Sequence, residues 1–446
     1  MKLNQENNKI QRLFILSMIL FLLGEPIEAK SQDIKPRVIA MTDGEIDDQS
    51  SMVRFLLYTN DIDLEAIIET NSVHQHNGHS KEDWLEKEIA AYEQVYSNLI
   101  KHDPNYPSAT EIRSKCFVGD EDPKHLIVDN NSIFRRPDSK VEIMPDEWAD
   151  TPGSDKIVEV LLEDNPNPIF IQAWGGGNTA ARAFYKLKTR YPDKYDKAVS
   201  KVTMYNIWYQ DGAGNYIQKY HPKVKMLLCY NFLGSWAYGS QSFTHSFVEN
   251  DVKNNHGPLG ALYPQEYISE GDSPSFLYTI KNGLRSFENP TYGGWGGRFY
   301  KTDGFENVYI DESEESYTRW IEDINRDFQA RLDWCVAEKY ENANHKPILK
   351  IEGDIDRKVN AGDLVTLNAE ESSDPDGNRI AFKWWQFLEA GTYNKMVEIK
   401  NPLAKKISFI APTVDKNCTI HIILEVEDKG KPALVTYQRM IITVRP

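Results

Sequence analysis

The stretch Arg37-Val-Ile-Ala-Met-Thr42-Asp43-Gly44-Glu45-Ile46-Asp47-Asp48 decides how the rest of the chain is read. Its first six residues, Arg37 to Thr42, form an apolar run of strand length. Three aspartates follow within six residues, and Ser50 to Tyr58 then reads as a helix. A strand handed to a helix through an acidic turn opens an α/β unit, and open α/β sheets bind ligands beyond the carboxyl ends of their strands. Asp43, Asp47 and Asp48 stand at such an end. Carboxylates this close repel one another unless a cation or a helix N-terminus offsets the charge. A hard divalent cation such as Ca²⁺ takes oxygen ligands from a turn of this kind, completed by carbonyls and water.

Outward from this turn the same alternation continues. Leu64 to Thr70, Pro168 to Ala173 and Val202 to Ile207 read as strands. Between them, Trp84 to Lys101 (with Leu85, Ile89, Tyr92, Val95 and Leu99 at helical spacing), Ile157 to Leu162 and Ala180 to Thr189 read as helices. Such an order predicts an α/β fold with a mostly parallel open sheet. Near His345-Lys346-Pro347 the character changes. Leu364 to Leu367, Ile380 to Trp385, Lys406 to Ile410, Ile420 to Val426 and Tyr437 to Val444 alternate as strands, punctuated by turns at Ser373 to Gly377 and Asp428 to Gly430. This predicts a small all-β sandwich of immunoglobulin type. The expected division is therefore an α/β domain over 34–340 and a β-sandwich domain over 346–446. Trp384 and Trp385 face opposite ways on a strand; one is expected in the core, the other against carbohydrate or the first domain.

Residues 1–30 read as a leader. Lys2, Lys9 and Arg12 precede the apolar run Leu13 to Leu23, followed by Gly24, Pro26 and Ala29, the order of a secretory signal peptide. The run is too short to span a bilayer, so the mature chain is expected in the periplasm or outside the cell, with no stable membrane insertion. Export permits disulfides, yet Cys116, Cys229, Cys335 and Cys418 match neither a zinc pattern nor a dense framework; bridges and buried free thiols both remain open. Hydrophobic residues make up 40% of the 446 and aromatics 11%, enough for a real core, so wholesale disorder is excluded. Acidic residues outnumber basic ones 67 to 51, for a net charge of −16. An acidic chain repels phosphate backbones, which excludes nucleic acid as the principal partner. Neutral small molecules and cations fit, and a homo-oligomer stays open.

The acidic turn resembles the signature of the nucleoside hydrolase superfamily, Asp-x-Asp-x-Gly-x-Asp-Asp after the first strand. The resemblance implies one Ca²⁺ held by carboxylates, with Asp43 as ligand and proton acceptor from the metal-bound water, and Asp48 as second ligand. It further implies a main-chain carbonyl from a central glycine turn, here Trp174-Gly-Gly-Gly-Asn178-Thr179, which places that carbonyl on Asn178. The last ligand of the family corresponds to Asp272, in Gly271-Asp272-Ser-Pro-Ser-Phe276. Met41 stands in place of the pattern's first Asp, Gly271 replaces the His before its last Asp, and the usual sugar-clamping Asn-x-x-Glu-x-Asn is not visible. The chain is more similar to a secreted branch labelled cellulose-binding, through Gly293-Gly-Trp-Gly-Gly-Arg298 and Trp384-Trp-Gln-Phe-Leu-Glu-Ala-Gly-Thr-Tyr393.

Several further residues are expected to line the pocket. Asn71 and His74 follow the second strand, the latter opening the run His74-Gln-His76-Asn-Gly-His79. Gln210 and Asp211 follow another strand and offer hydrogen bonds to sugar hydroxyls. Trp174, Trp208 and Trp295 offer ring faces for sugar stacking. Candidate acids for a leaving group include Glu45 and Asp211, with none assigned. Together these features imply a Ca²⁺-dependent hydrolase of a glycosyl bond, either glycoside or N-glycoside, with Asp43 activating water. The alternatives are a non-catalytic carbohydrate-binding protein on the same scaffold, binding cellulose or another plant-wall glycan, and a nucleoside hydrolase proper.

Overall fold

The computed structural model describes residues 35–126, 137–138, 143–232 and 241–446; the expected leader lies outside them. Eight strands form one sheet: β1 (Arg37–Thr42), β2 (Asp63–Glu69), β3 (Cys116–Val118), β4 (Ile169–Ala173), β5 (Val202–Ile207), β6 (Lys225–Cys229), β7 (Phe299–Lys301) and β8 (Val308–Asp311). Their order is β3-β2-β1-β4-β5-β6-β8-β7. All neighbours are parallel except β7, which runs antiparallel to β8 at the edge. The mostly parallel sheet expected from the sequence is therefore the one observed. The order reverses between β1 and β4, so the acidic turn after β1 sits at the topological switch point, where open sheets accept ligands.

Alternation along the strands fills both faces. On β1, Val38 and Ala40 enter one core while Ile39 and Met41 enter the other. Among the described residues, seven α-helices of eight residues or more flank the sheet: α1 (Ile46–Leu56), α2 (Trp84–His102), α3 (Pro152–Leu162), α4 (Asn178–Arg190), α5 (Pro192–Val199), α6 (Ala213–Tyr220) and α7 (Ile321–Val336). Thr151 starts α3 with a capping box closed by Ser154, and Pro152 fits the first turn. Met41, at the place of the missing first Asp, is wholly buried in the apolar core that also holds Ile39, Ile171 and Ala173.

The C-terminal region is a second, β-only body of six strands: β9 (Asp356–Asn360), β10 (Leu364–Asn368), β11 (Ala381–Gln386), β12 (Lys406–Ile410), β13 (Cys418–Glu427) and β14 (Val435–Arg445). They form a four-stranded sheet, β11-β13-β14-β9, and a two-stranded sheet, β10-β12. Both sheets contribute to one core, with Val365, Trp384, Phe409, Ile422 and Ile442 among its members. Pairing is antiparallel except for β9 on β14.

Strand β14 also packs on the α/β part. Val435 and Tyr437 belong to the same core as Phe55, Trp174 and Trp295. The backbone N–H groups of Tyr437 and Arg439 donate to Asn282 O and Gly283 O at 3.1 and 2.9 Å. Gly283 has φ +91°, and a Cβ there would lie 1.8 Å from Tyr437 O, so only glycine admits the approach. The buried Arg439 guanidinium donates to Leu284 O, Tyr292 O and Gly293 O at 2.7–3.0 Å. Trp384 lies in the sandwich core, while Trp385 reaches the α/β part, with its ring 6.2 Å from that of Trp320. All four cysteines are free thiols, three of them buried. Among the described residues no helix is long and apolar enough to cross a membrane.

Candidate functional site

Helix α1 starts at Ile46, four residues earlier than periodicity predicts. That shift places Asp47 and Asp48 in its first turn, where exposed N–H groups and the helix dipole favour negative charge. Gly44 makes the turn at φ +75°, with the His79 side chain against it. His79 Nδ1 donates to Asp43 O at 2.8 Å. Asp48 is held from behind: the Thr42 hydroxyl and the Asp43 N–H both donate to its Oδ1. Asp43 Oδ1 accepts from Glu45 N at 3.3 Å.

Asp272 arrives from far along the chain and is clamped onto α1. Its N–H donates to Ser51 Oγ at 3.3 Å. Two residues earlier, Glu270 forms a fully buried pair with Arg54 of α1, Nε to Oε2 at 2.5 Å. Tyr263 and Ser273 donate to the same carboxylate at 2.9 and 2.8 Å, so the buried pair is fully satisfied.

Carboxylate oxygens of Asp47, Asp48 and Asp272 lie within 4.8 Å of one another. Two oxygens on opposite sides of a Ca²⁺ ion are separated by about 4.6–5.2 Å, so this triangle has the dimensions of a coordination shell. Asp43 Oδ2 and Asp272 Oδ2 are buried with no hydrogen-bond partner. Burial first, then the charges of Asp272, Asp43 and Asp47, pushes the Asp48 carboxyl well above its usual range. The Asp272 carboxyl rises for the same reasons, with burial ahead of Asp47, Asp43 and Glu45. Glu45, half-buried, is pushed up to about 8 by burial and by Asp43 and Asp47. Partnerless, mutually repelling oxygens in a dry site fit a hard cation, whose charge would invert these shifts. Gly175, at the end of β4, closes the other side: a Cβ there would lie 2.7 Å from Asp43 Cβ.

The structure brings Asp48 and Asp272 together and adds Asp47, which the resemblance left out of the ligand set; Asp43 stands beside this triangle, its charge acting on Asp48 and Asp272. The signal for Asp47 was the early helix start. Asn178 is the first residue of α4. Its side chain is a brace, accepting from Thr70 Oγ1 at 2.9 Å and donating to Asn71 Oδ1 at 2.7 Å.

Most of the expected sugar contacts are likewise internal. Asn71 Nδ2 donates to His76 O at 2.8 Å, so both its polar atoms are engaged. Asp211 accepts from Asn178 N and Ala213 N at 2.9 and 2.8 Å, serving the N-termini of α4 and α6; it is neither a sugar ligand nor a free acid. Gln210 Nε2 donates to Trp174 O and Ile207 O, tying the ends of β4 and β5. Trp174 and Trp295 are each 1% exposed. Trp174 meets Phe55 edge to face at 5.5 Å, and Trp295 packs beneath Tyr437 at 6.3 Å. They are core residues, not stacking platforms. His74 is exposed near Asp43, whose charge raises its pKa while partial burial, the larger effect, lowers it.

Comparisons agree with this architecture. A nucleoside hydrolase-related hypothetical protein from Saccharophagus degradans, described as associated with carbohydrate metabolism, is 31% identical over 92% of this chain and 100% of its own, with a TM-score of 0.79. A plant nucleoside hydrolase, PpNRh1, aligns at 15% identity over 67% of this chain and 99% of its own, with a TM-score of 0.38, too distant to carry an argument. No curated protein matches the sequence. The family described as "Cellulose-binding protein Sde0182, C-terminal domain" matches residues 364–444, and "Cellulose-binding Sde182, nucleoside hydrolase-like domain" matches residues 37–299. With the acidic turn and the β1–β4 switch point inside these matches, the chain belongs to the nucleoside hydrolase-like, cellulose-binding Sde182 family.

Proposed function

We propose that the protein is an exported hydrolase of a glycosyl bond whose site is the carboxylate cluster at the end of β1. The observation that carries this reading is the pair of buried, partnerless oxygens, Asp43 Oδ2 and Asp272 Oδ2, the second within the Asp47–Asp48–Asp272 carboxylate triangle and the first on the aspartate whose charge acts on it. A hard divalent cation, Ca²⁺ by preference, held there by Asp43, Asp47, Asp48 and Asp272, supplies charge compensation and a more acidic water. Asp43 Oδ2 is the proton acceptor, held in place by Gly175 and by the turn that His79 fastens. Thr42 and the Asp43 N–H orient Asp48. The negative field of the cluster favours a reaction centre that gains positive, oxocarbenium-like charge.

The test is release of free base from inosine and uridine, and of reducing ends from cellulose- and xylan-derived oligosaccharides, with and without a chelator. Chelator-sensitive turnover lost in Asp43→Asn is expected. Turnover indifferent to chelator, or no Ca²⁺ binding by calorimetry, would overturn it. A mature N-terminus near Ala29 or Ser31 is the expected sign of export. The nature of the product released also decides between glycoside and nucleoside.

A second reading is favoured by one specific observation: Asn71, Asp211, Trp174 and Trp295 are all committed internally. A binding protein that keeps the scaffold without turnover would pull down on insoluble cellulose, with Asp43→Asn making no difference.

A further inference from the structure

A second concave surface lies away from the carboxylate cluster, beyond the carboxyl ends of β5 and β6 and beside the β7–β8 hairpin. This cleft measures about 730 Å³, within the range that holds small ligands. Four aromatic side chains line it: Trp208, Tyr230, Tyr300 and Phe305. Tyr300 is 49% exposed. Trp208 holds a left-handed backbone, φ 57°, rare for so bulky a residue, with its N–H on Cys229 O at 3.2 Å. Strain of this kind is retained where the surroundings fix a side chain for use.

One wall of the cleft is rigidly built. The buried Asp311 carboxylate accepts from the N–H groups of Tyr230 and Asn231 at 3.0 and 2.7 Å and from Asn231 Nδ2 at 3.0 Å. The polar groups set the ligand chemistry. Asp138 and Asp303 line the cleft, and among the described residues its lining holds no Lys, Arg or His. Thr302 Oγ1, also in the lining, is buried with no hydrogen-bond partner. Carboxylates accept hydrogen bonds and repel anions, and aromatic faces take the apolar faces of saturated rings. A ligand rich in hydroxyl donors, flat enough to lie on a ring and free of negative charge satisfies all of them.

We propose that this cleft is a neutral-oligosaccharide binding site, distinct from the carboxylate cluster; it rests on the reading of the protein as glycan-directed. Asp138 and Asp303 disfavour uronates, phosphosugars and nucleotides there.

The probes are cellohexaose, xylohexaose and mannohexaose, with an oligogalacturonate of equal length as the anionic control, titrated against the full chain by calorimetry. At least one neutral hexasaccharide is expected to bind, with affinity reduced about tenfold or more in Tyr300→Ala and in Asp303→Ala, both exposed positions. The anionic control is expected not to bind. Affinity should be unchanged by chelator and in Asp48→Asn, which separates this site from the cation cluster: failure there with binding intact here would sink the hydrolase reading alone. Binding indifferent to both cleft variants, equal binding of the oligogalacturonate, or no binding of any neutral hexasaccharide would overturn the proposal.

Discussion

Asp48 concentrates the electrostatic cost of the site. It is buried and faces Asp43, Asp47 and Asp272, and its charge is offset by Thr42, a backbone N–H and the first turn of α1. Asp48→Asn keeps the size and removes one repelling charge. In chelator the variant should melt at a higher temperature than the wild type, and the rise that Ca²⁺ gives the wild type should vanish. A variant that melts lower in chelator would contradict the repulsion. Gly175→Ala tests the opposite wall. Its methyl would press on Asp43, and overpacking of this kind costs about 1–3 kcal/mol. Ca²⁺ affinity should drop together with stability in Gly175→Ala, whereas Gly304→Ala, which meets no neighbour, should leave Ca²⁺ affinity unchanged.

The elements show how far the sequence could be read. The first, fourth and fifth strands are legible because buried parallel strands are nearly continuous apolar runs. Helix starts were less so: α1 and α4 begin with Ile46-Asp-Asp and Asn178-Thr, polar residues that periodicity discounts but that the first turn favours. Both shifts fall beside the site, at Asp47 and at Asn178. Strand β9, with two of its five residues half-buried and three exposed, offers no apolar run to find. Trp174 and Trp295 sit beside glycines that admit other backbone, so a glycine-flanked tryptophan looked like a loop. The α4–α6 layer carries a pH-dependent term. His221, after α6, is buried against Phe184 and Tyr216, with Tyr195 on its Nδ1 at 2.6 Å. Burial, then Lys188, lowers its pKa to about 3. An unfolded histidine titrates near 6.5, so below that pH the unfolded chain takes a proton the folded one refuses. The contribution is complete above about 6.5 and is lost as pH falls toward about 3. Between pH 7 and 4.5 the wild type should lose about 2 kcal/mol more than His221→Gln, read from urea unfolding at both values. Equal losses would remove His221 from the account.

At the scale of the whole molecule the α/β and β-only parts are not beads on a string. Tyr437, Trp295, Trp320 and Trp385 form one aromatic contact chain across the junction, and Arg439 satisfies carbonyls on the Leu284–Gly293 segment. Arg439→Ala leaves those carbonyls buried and bare, at about 3 kcal/mol. The expected readout is a lower midpoint in a single unfolding transition; a second transition at lower denaturant would show the two parts uncoupled. Ending the chain at residue 345 should give an α/β part that binds a hydrophobic dye and aggregates, because Trp295 and Trp320 lose their cover. The contact between Arg439 and Leu284 spans 155 residues. A ribosome delivers the Gly283 turn long before the strand that seats on it, so the nascent α/β part waits with its aromatic seam open. Closure of that seam is a long-loop event and hence slow, and the interval before it is when a holdase chaperone has surface to grip. Residues 435–445 thus act in time as well as in space: their arrival ends the period during which the first half of the chain can go astray.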